Sequence, residues 1–244
     1  MYLERYFEAV DAVLARIRAT QLEAIRRAAE AIAASLAHQG VLAVMDTGHM
    51  LKREATGRAG GLMVITPFSY GLTVENTADQ RPAPRSPEQA AELEARTAAL
   101  ALDSSKLKRG DVLVINSNSG RTSNVMEVAL QCKERGITTI GIASTEQMTR
   151  CAVAHRSGRK LVDVVDIYID NCGPYGDAMV EVRENEKMCP ASGLAATYVF
   201  WAIQADVVER LQAVGVNPTL YRSVHVSGQE YIETQRRKFL AQGI

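Results

Sequence analysis

The stretch "DVLVINSNSGRTSNVMEVALQCKERGITTIGIAS", residues 111–144, indicates the fold most clearly. It begins as an apolar run typical of a buried strand and turns polar over residues 116–123. It continues with helical composition and ends in a second apolar run. Two buried strands joined by a helix are the repeating unit of a parallel sheet that helices cover on both faces.

The same alternation continues on both sides of this stretch. The pattern predicts strands at 41–46, 62–66, 111–116, 137–143 and 165–170, and helices at 49–60, 86–105, 121–135 and 191–213. We therefore expect an α/β fold, a three-layer α-β-α sandwich with a mostly parallel five-stranded sheet. A short apolar run, "AMVEV" (178–182), predicts an additional edge strand.

Three segments make up the predicted domain organisation. Apolar residues at helical spacing predict a long N-terminal helical segment over residues 1–38, and the sandwich is expected over residues 39–226. The polar tail at residues 227–244 is predicted to be helical. Between residues 67 and 87 the chain has four prolines, which indicates a long irregular connection.

Composition excludes several classes of function. The chain has 244 residues, of which 47% are hydrophobic, and its 28 basic residues balance 28 acidic ones. No bulk charge therefore favours nucleic acid or an anionic membrane, and no apolar run reaches the roughly 20 residues that span a bilayer. The four cysteines lack CxxC spacing and no signal peptide is recognisable, so we expect a cytoplasmic protein with unpaired thiols. A zinc site from Cys172, Cys189 and His225 is conceivable, but no spacing selects it.

The polar stretch joins the carboxyl end of one strand to the amino end of a helix. Unsatisfied N–H groups and the positive end of the helix dipole stabilise an anion at such a position. Gly120 allows close approach of the backbone, and Arg121 adds a positive charge. Hydroxyl donors are supplied by Ser117, Ser119, Thr122 and Ser123. This composition predicts a phosphate site that needs neither a metal nor another cofactor.

Helix capping is the alternative explanation of these hydroxyls. A single Ser119 or Thr122 at the N-cap is ordinary and contributes about 1 kcal/mol. One cap uses only one hydroxyl, however, and four are present here. The nucleotide motifs GxxxxGK[ST] and GxGxxG are absent, which argues against an NTPase or a dinucleotide enzyme.

The stretch "INSNSGRTSNVMEVALQCKERGITTIGIAS" resembles the signature of the sugar isomerase (SIS) domain. In that family a strand ends in S-x-S-G-x-T, and a helix then leads to a second strand reading T-x-I-G-I. The resemblance implies that Ser117, Ser119 and Thr122 hold the phosphate of a phosphosugar, helped by backbone amides of the loop that includes Asn118. Residues 35–225 as a whole resemble single-domain SIS proteins, with related stretches at "RAGGL" (58–62), "GDA" (176–178), "ASG" (191–193) and "ADVVERL" (205–211).

A second polar loop, Asp46-Thr47-Gly48-His49, follows the strand 41–46. SIS proteins usually have a glycine-rich loop with a serine here, and this chain has one glycine and no serine. Thr47 would replace the missing hydroxyl, and Gly48 and His49 would contact the sugar. The alternative for Asp46 and Thr47 is an N-cap of the next helix, since both residue types are strong caps.

The stretch "REATGRAGG" resembles the A-E-L-T-G-R segment of phosphoheptose isomerases, in which the glutamate is the catalytic base. The resemblance assigns that role to Glu54. A carboxylate suits aldose–ketose isomerisation, in which one base moves a proton between adjacent carbons. The alternative is a surface ion pair between Glu54 and Arg58, which are four residues apart.

A second acid is expected to protonate the sugar oxygen or to open the ring. His225 is the first candidate, because histidine titrates near neutral pH and phosphoheptose isomerases also have a C-terminal histidine. Glu75 is the other candidate, because the related N-acetylmuramic acid 6-phosphate etherases use two glutamates.

Two functions remain open at this point. The first is an isomerase, or a related etherase or deaminase, that abstracts a proton from a sugar phosphate or amino-sugar phosphate. The second is a non-catalytic sensor of sugar phosphates, although the chain has no recognisable helix-turn-helix and no basic patch. SIS domains commonly form dimers or tetramers with sites at the interface. We therefore expect a homo-oligomer in which the helix predicted over residues 2–38 packs on a partner. The alternative is that its apolar stripe packs on the sheet of its own chain.

Overall fold

A single parallel sheet forms the centre of the protein in the computed structural model, which describes residues 1–48, 51–75 and 86–244. Its strands are β1 (Leu42–Asp46), β2 (Ile65–Pro67), β3 (Val112–Asn116), β4 (Thr138–Ala143) and β5 (Ile167–Asp170). They are arranged in the order β2-β1-β3-β4-β5, and every pairing is parallel. This is the flavodoxin-like order, in which the chain reverses direction across the sheet between β1 and β3.

Helices connect and cover the strands. In chain order they are α1 (Tyr2–Thr20), α2 (Leu22–Ala37), α3 (Leu51–Ala55), α4 (Pro87–Ser104), α5 (Ser123–Arg135), α6 (Thr145–Arg150), α7 (Ser192–Ala213) and α8 (Val224–Gln242). A 3-10 turn at Leu161–Asp163 precedes β5. No helix among these described residues is both long and apolar enough to cross a membrane.

Alternate residues of the strands face two separate cores. Leu42 and Val112 belong to the core that contains α2 and α7, whereas their neighbours Ala43 and Leu113 belong to the core that contains α4 and α5. Successive side chains of a strand point to opposite faces, so the two cores lie on the two sides of the sheet. The predicted three-layer sandwich is confirmed.

The predicted N-terminal helix is divided at Gln21 into α1 and α2. Gln21 has φ −112° and ψ 1°, outside the helical region, and its Oε1 accepts a hydrogen bond of 3.0 Å from the backbone N–H of Asp170. After the break α2 packs on the sheet and on α7, and α1 also contacts α7. A contact between residues so far apart in sequence leaves no local pattern.

A strand forms at the predicted residues 178–182, but the prediction that it is an edge strand of the main sheet was wrong. These residues lie in β6 (Ala178–Arg183), which pairs antiparallel with β7 (Glu186–Pro190) in a separate two-stranded sheet. The turn contains Asn185 at φ 60°, a left-handed conformation that asparagine tolerates. The phenol of Tyr2 donates a hydrogen bond of 2.8 Å to the carbonyl of Val182, so the hairpin contacts α1 instead of the main sheet.

Helix α8 begins three residues before the predicted start of the tail. Gly228, at φ 75° and ψ 165°, interrupts its helical geometry, and none of its residues is buried. The tail is therefore helical over most of its length, and it contributes only partly buried side chains to the packing of the domain.

Candidate functional site

A cleft of about 640 Å³ lies at the carboxyl end of the sheet, next to the reversal between β1 and β3. Open α/β sheets bind their ligands at this position. The described residues that line the cleft come from three loops, from the last residues of β3 and β7, and from α1, α3, α6 and α7: Tyr6, Thr47, Gly48, Leu51, Asn116, Ser117, Asn118, Ser119, Thr122, Gln147, Asp177, Pro190, Ser192, Gly193 and Leu194.

The loop after β3 has a backbone fixed on several sides. The N–H of Ser117 donates to the carbonyl of Ile142 over 3.0 Å, and the N–H of Gly120 donates to the carbonyl of Ser117 over 3.0 Å. The carbonyl of Asn118 accepts from the N–H of Ser144, again over 3.0 Å. The side chain of Asn118 accepts a further bond from Asn171. The loop is thus held before any ligand arrives, which limits the entropy lost on binding.

Gly120 meets two requirements that only glycine satisfies here. Its φ is 54°, in the left-handed region, and an added Cβ would lie 2.6 Å from Sδ of Met148 and 3.1 Å from Cβ of Leu161. The carbonyl of Gly120 also accepts a bond of 2.8 Å from the N–H of Leu161. The glycine therefore allows the loop to turn against α6 and the 3-10 helix, behind the cleft.

The hydroxyls of this loop are available to a ligand. Thr122 is the N-cap residue of α5, but its side chain makes no capping bond. Ser117 is only 2% exposed and lines the cleft, as does Ser119, and neither hydroxyl forms a hydrogen bond with a described residue. Ser123 lines a different cavity, on the α4 side of α5. The capping alternative is therefore not realised at Thr122.

The first loop is organised by the carboxylate of Asp46. Its Oδ1 accepts hydrogen bonds from Nδ2 of Asn116 (2.7 Å) and from the N–H of Gly48 (2.9 Å). Its Oδ2 accepts a hydrogen bond of 3.1 Å from the N–H of Lys52. The bond to Lys52 satisfies a free N–H in the first turn of α3, as the capping alternative for Asp46 predicted. Thr47, the predicted substitute for the missing hydroxyl, and Gly48, a predicted sugar contact, line the cleft.

The amino end of α7 closes the cleft from the other face of the sheet. Asp177, at φ 67°, accepts bonds on Oδ1 from the N–H groups of Ala191 (3.1 Å) and Ser192 (2.8 Å), and on Oδ2 from Oγ of Ser192 (2.7 Å). The adjacent Gly176 N–H donates 2.8 Å to Oε1 of Gln147. The stretches "GDA" and "ASG" marked these positions in the sequence, but nothing there assigned them to the site.

The remaining predicted site residues lie elsewhere. Gly120 and Arg121 are not among the described residues that line the cleft. Gly120 lies behind it, and Nη1 of Arg121 donates a hydrogen bond of 3.2 Å to the carbonyl of Ala152. His49 lies outside the described residues. Three of the predicted residues, Glu54, Glu75 and His225, also do not line the cleft in the described part of the chain.

Of these three, Glu54 is the nearest in sequence to a lining residue. It lies on α3, three residues after Leu51, and its Oε2 forms an ion pair of 3.2 Å with Nε of Arg58. Glu75 is exposed, and His225 is exposed on the first turn of α8. The ion-pair alternative for Glu54 is therefore present in the structure, and its catalytic role stays a prediction.

A buried polar cluster lies on the other side of α5. Nε2 of His155 is 3.0 Å from Oε1 of Glu127, and their side chains are 3% and 4% exposed. Arg156 contacts the same carboxylate oxygen over 3.2 Å. Burial, followed by the neighbouring Glu94, raises the pKa of the Tyr70 phenol, whose hydroxyl is near the same surface of α5. These contacts attach the loop after α6 to α5.

This chain is similar to known proteins in sequence and in fold. The sequence model of the SIS domain matches residues 5–144, more than half of the chain. A UPF0309 protein of Caldanaerobacter subterraneus is 31% identical over 236 residues, which is 93% of both chains. A UPF0309 protein of Streptomyces griseus is 32% identical over 227 residues, covering 92% of this chain and 89% of that one.

Among solved structures, a phosphoheptose isomerase from Francisella tularensis aligns with a TM-score of 0.53 and 13% identity, covering 86% of this chain and 96% of that one. A phosphoheptose isomerase from Neisseria gonorrhoeae aligns with a TM-score of 0.50 and 15% identity, covering 84% and 96%. At this identity the likeness shows a shared fold. Together with the sequence match, it confirms the resemblance read from residues 115–144: the chain belongs to the SIS domain family.

Proposed function

We propose that this protein binds a sugar phosphate in the cleft and holds the phosphate on the loop after β3. The observation that carries the proposal is that Ser117, Ser119 and Thr122 present hydroxyls without a described protein partner beside the amino end of α5. Helix α5 has 13 residues, and the N–H groups of its first turn add partial positive charge at the same point.

Neutral groups are the main phosphate donors in this proposal. The guanidinium of Arg121 contacts the carbonyl of Ala152, so its contribution is the backbone N–H and a distant charge. Asn118 and Gly120 shape the loop and bring its backbone to the ligand. Hydroxyl and amide donors surround a phosphate without a metal ion, as the nests and helix ends of other phosphate sites do.

The sugar occupies the rest of the cleft. The volume of the cleft is in the range of small-molecule sites, roughly 300–1,000 Å³. Thr47 and Gly48 approach it from the first loop, and Gln147 lines it from α6. We propose His49 as a further sugar contact, because it follows directly on Gly48.

The proposed chemistry is aldose–ketose isomerisation or a related proton abstraction of the etherase or deaminase type. Glu54 is the proposed base, because it lies one helical turn from Leu51, which lines the cleft. To act on the substrate, its carboxylate would have to release the ion pair with Arg58. His225 and Glu75 remain the proposed second acids. Because both are exposed away from the cleft of their own chain, we propose that a partner subunit brings one of them in.

A homo-oligomer is consistent with the surface of α1. Tyr6 of this helix lines the cleft, while Tyr2, Leu3 and Phe7 are more than half exposed. A partner subunit that covers these apolar side chains would lie beside the opening of the cleft. Exposed apolar patches of this kind mark interaction surfaces more often than isolated exposed residues do.

A non-catalytic sensor is the second candidate, and one observation favours it. Among the described lining residues, only Tyr6 and Asp177 have ionisable side chains, and Asp177 is engaged in capping α7. General acid–base catalysis needs a group within hydrogen-bond reach of the proton that moves. If no such group reaches the ligand, the cleft binds it without changing it.

Calorimetric titration and proton exchange together test the proposal. We expect hexose, heptose or amino-sugar phosphates to bind in the presence of EDTA, and the matching unphosphorylated sugars to bind far more weakly. An enzyme exchanges a carbon-bound proton in deuterated water, Glu54→Gln abolishes that exchange, and the exposed control Glu23→Gln retains it. Binding without exchange identifies the sensor, whereas equal affinity for phosphorylated and unphosphorylated sugars contradicts both candidates.

A further inference from the structure

Two helices direct their amino ends at the cleft from opposite faces of the sheet. The loop before α5 supplies Ser119 and Thr122 on the face that packs α4 and α5. The first turn of α7 supplies Ser192 and Gly193 on the face that packs α2. A free helix amino end attracts an anion, so two free ends would predict a ligand with two anionic groups.

The α7 end is not free, however, because Asp177 occupies it. Two backbone N–H groups, those of Ala191 and Ser192, donate to Oδ1, and the hydroxyl of Ser192 donates to Oδ2. The carboxylate therefore takes the place that an anionic ligand group would take at this helix. It also lines the cleft and is partly exposed to it.

Asp177 carries the sole formal charge among the lining side chains of the described residues. Two cations that approach the phosphate loop from behind are engaged with backbone carbonyls. Arg121 contacts Ala152, and the ammonium of Lys160 contacts Met148 and, over 2.6 Å, Cys151. The cleft is thus dipolar, with neutral donors at the α5 side and a negative charge at the α7 side.

We propose that Asp177 is a specificity-determining residue that selects ligands by the charge they carry away from the phosphate. The inference rests on the proposed phosphate site. The favoured ligand is a monophosphorylated sugar whose other end presents hydroxyls or a protonated amine. Sugar bisphosphates and phosphorylated sugar acids are rejected, because their second anion meets the carboxylate in a cleft without an opposing described cation.

The hydrogen bonds of Asp177 also define what it offers a ligand. Each carboxylate oxygen accepts about two hydrogen bonds. Oδ1 already accepts two and Oδ2 accepts one, which leaves one acceptor position on Oδ2. A ligand hydroxyl or ammonium donates into that position, whereas a second phosphate or a carboxylate has no proton to donate there.

Capping of α7 alone is the competing explanation, and Asp177→Asn separates the two. The asparagine carbonyl still accepts from the N–H groups of Ala191 and Ser192, so the helix end keeps its geometry while the charge is lost. The probes are glucosamine 6-phosphate, glucose 6-phosphate, 6-phosphogluconate and fructose 1,6-bisphosphate, titrated calorimetrically at one ionic strength. Glu146→Gln, which replaces a partly exposed carboxylate on α6 that does not line the cleft, is the matched control.

We expect the wild-type protein to bind glucosamine 6-phosphate and glucose 6-phosphate at least about tenfold more tightly than 6-phosphogluconate and fructose 1,6-bisphosphate, which have a second anionic group. Glucosamine 6-phosphate should bind at least as tightly as glucose 6-phosphate. Asp177→Asn reduces the ratio between the two pairs by about tenfold, and Glu146→Gln leaves it unchanged. A variant that shifts all four affinities by the same factor overturns the charge selection. If instead no probe binds, or Ser119→Ala does not alter phosphate-dependent binding, the proposed function itself is wrong.

Discussion

Asn116 donates a hydrogen bond of 2.7 Å from its Nδ2 to Oδ1 of Asp46, and so ties together the last residues of two adjacent strands. The two residues are paired in the register of β1 and β3, at the point where the strand order reverses. The bond therefore couples the first loop to the phosphate loop on one edge of the cleft.

Replacement of Asp46 tests this coupling. Asp46→Ala removes the acceptor of Asn116, Gly48 and Lys52, so we expect unfolding free energy to fall by about 2 kcal/mol and ligand affinity to fall with it. The control Asp103→Ala removes an exposed ion pair with Arg135 and should cost less than about 1 kcal/mol. Urea unfolding measures both variants, and equal losses would show that Asp46 is an ordinary surface carboxylate.

Gly120 tests the shape of the phosphate loop. Gly120→Ala must hold alanine at φ 54° and place its Cβ 2.6 Å from Met148, so we expect destabilisation of roughly 2–4 kcal/mol and loss of phosphosugar binding. Gly158→Ala is the matched control, since it has φ 69° but no atom within 4 Å of the added Cβ. Thermal unfolding of the two variants separates the clash from the conformational strain. Similar melting temperatures would contradict the close contact with α6.

Glu127 tests the buried polar cluster. Glu127→Ala leaves His155 buried without its carboxylate partner and removes a contact of Arg156, so we expect a loss of about 3 kcal/mol. Glu92→Ala removes an exposed contact to the same Arg156 at 3.5 Å and should change stability by less than about 1 kcal/mol. Chemical unfolding at neutral pH provides the comparison. A small effect of Glu127→Ala would mean that His155 and Arg156 find water or other partners.

The sequence predicted those parts of the fold that depend on local pattern. The apolar run at residues 112–115 predicted a strand over 111–116, and β3 begins at Val112 and ends at Asn116. The Ser86-Pro87 signal predicted α4, whose N-cap serine accepts the expected bond from the N–H of Gln89. The break at Gln21 could not be predicted in this way, because its partner Asp170 lies far along the chain. The β6–β7 hairpin is itself local, but its position beside α1 depends on the equally distant contact with Tyr2.

The candidate site was likewise predicted only where its residues are contiguous in the sequence. The phosphate loop was predicted because its hydroxyls, its glycine and the helix that follows are contiguous. Asp177 and Ser192 meet the cleft only because α7 packs beside α2 on one face of the sheet, and neither residue has a local signal of that position. The spacing of Glu54 and Arg58 allowed two interpretations, and sequence alone did not choose between catalysis and the ion pair.

The most direct test of the central claim is the phosphate selectivity of the loop hydroxyls. The quantity measured is the ratio of affinities for a sugar phosphate and for the same sugar without phosphate, in wild type, Ser119→Ala, Thr122→Ala and the neighbouring control Ser123→Ala. We predict that Ser119→Ala and Thr122→Ala each lower the ratio about five- to tenfold, because each removes a charge-assisted hydrogen bond, and that Ser123→Ala leaves it unchanged. An unchanged ratio in all three variants would contradict binding of the phosphate at this loop.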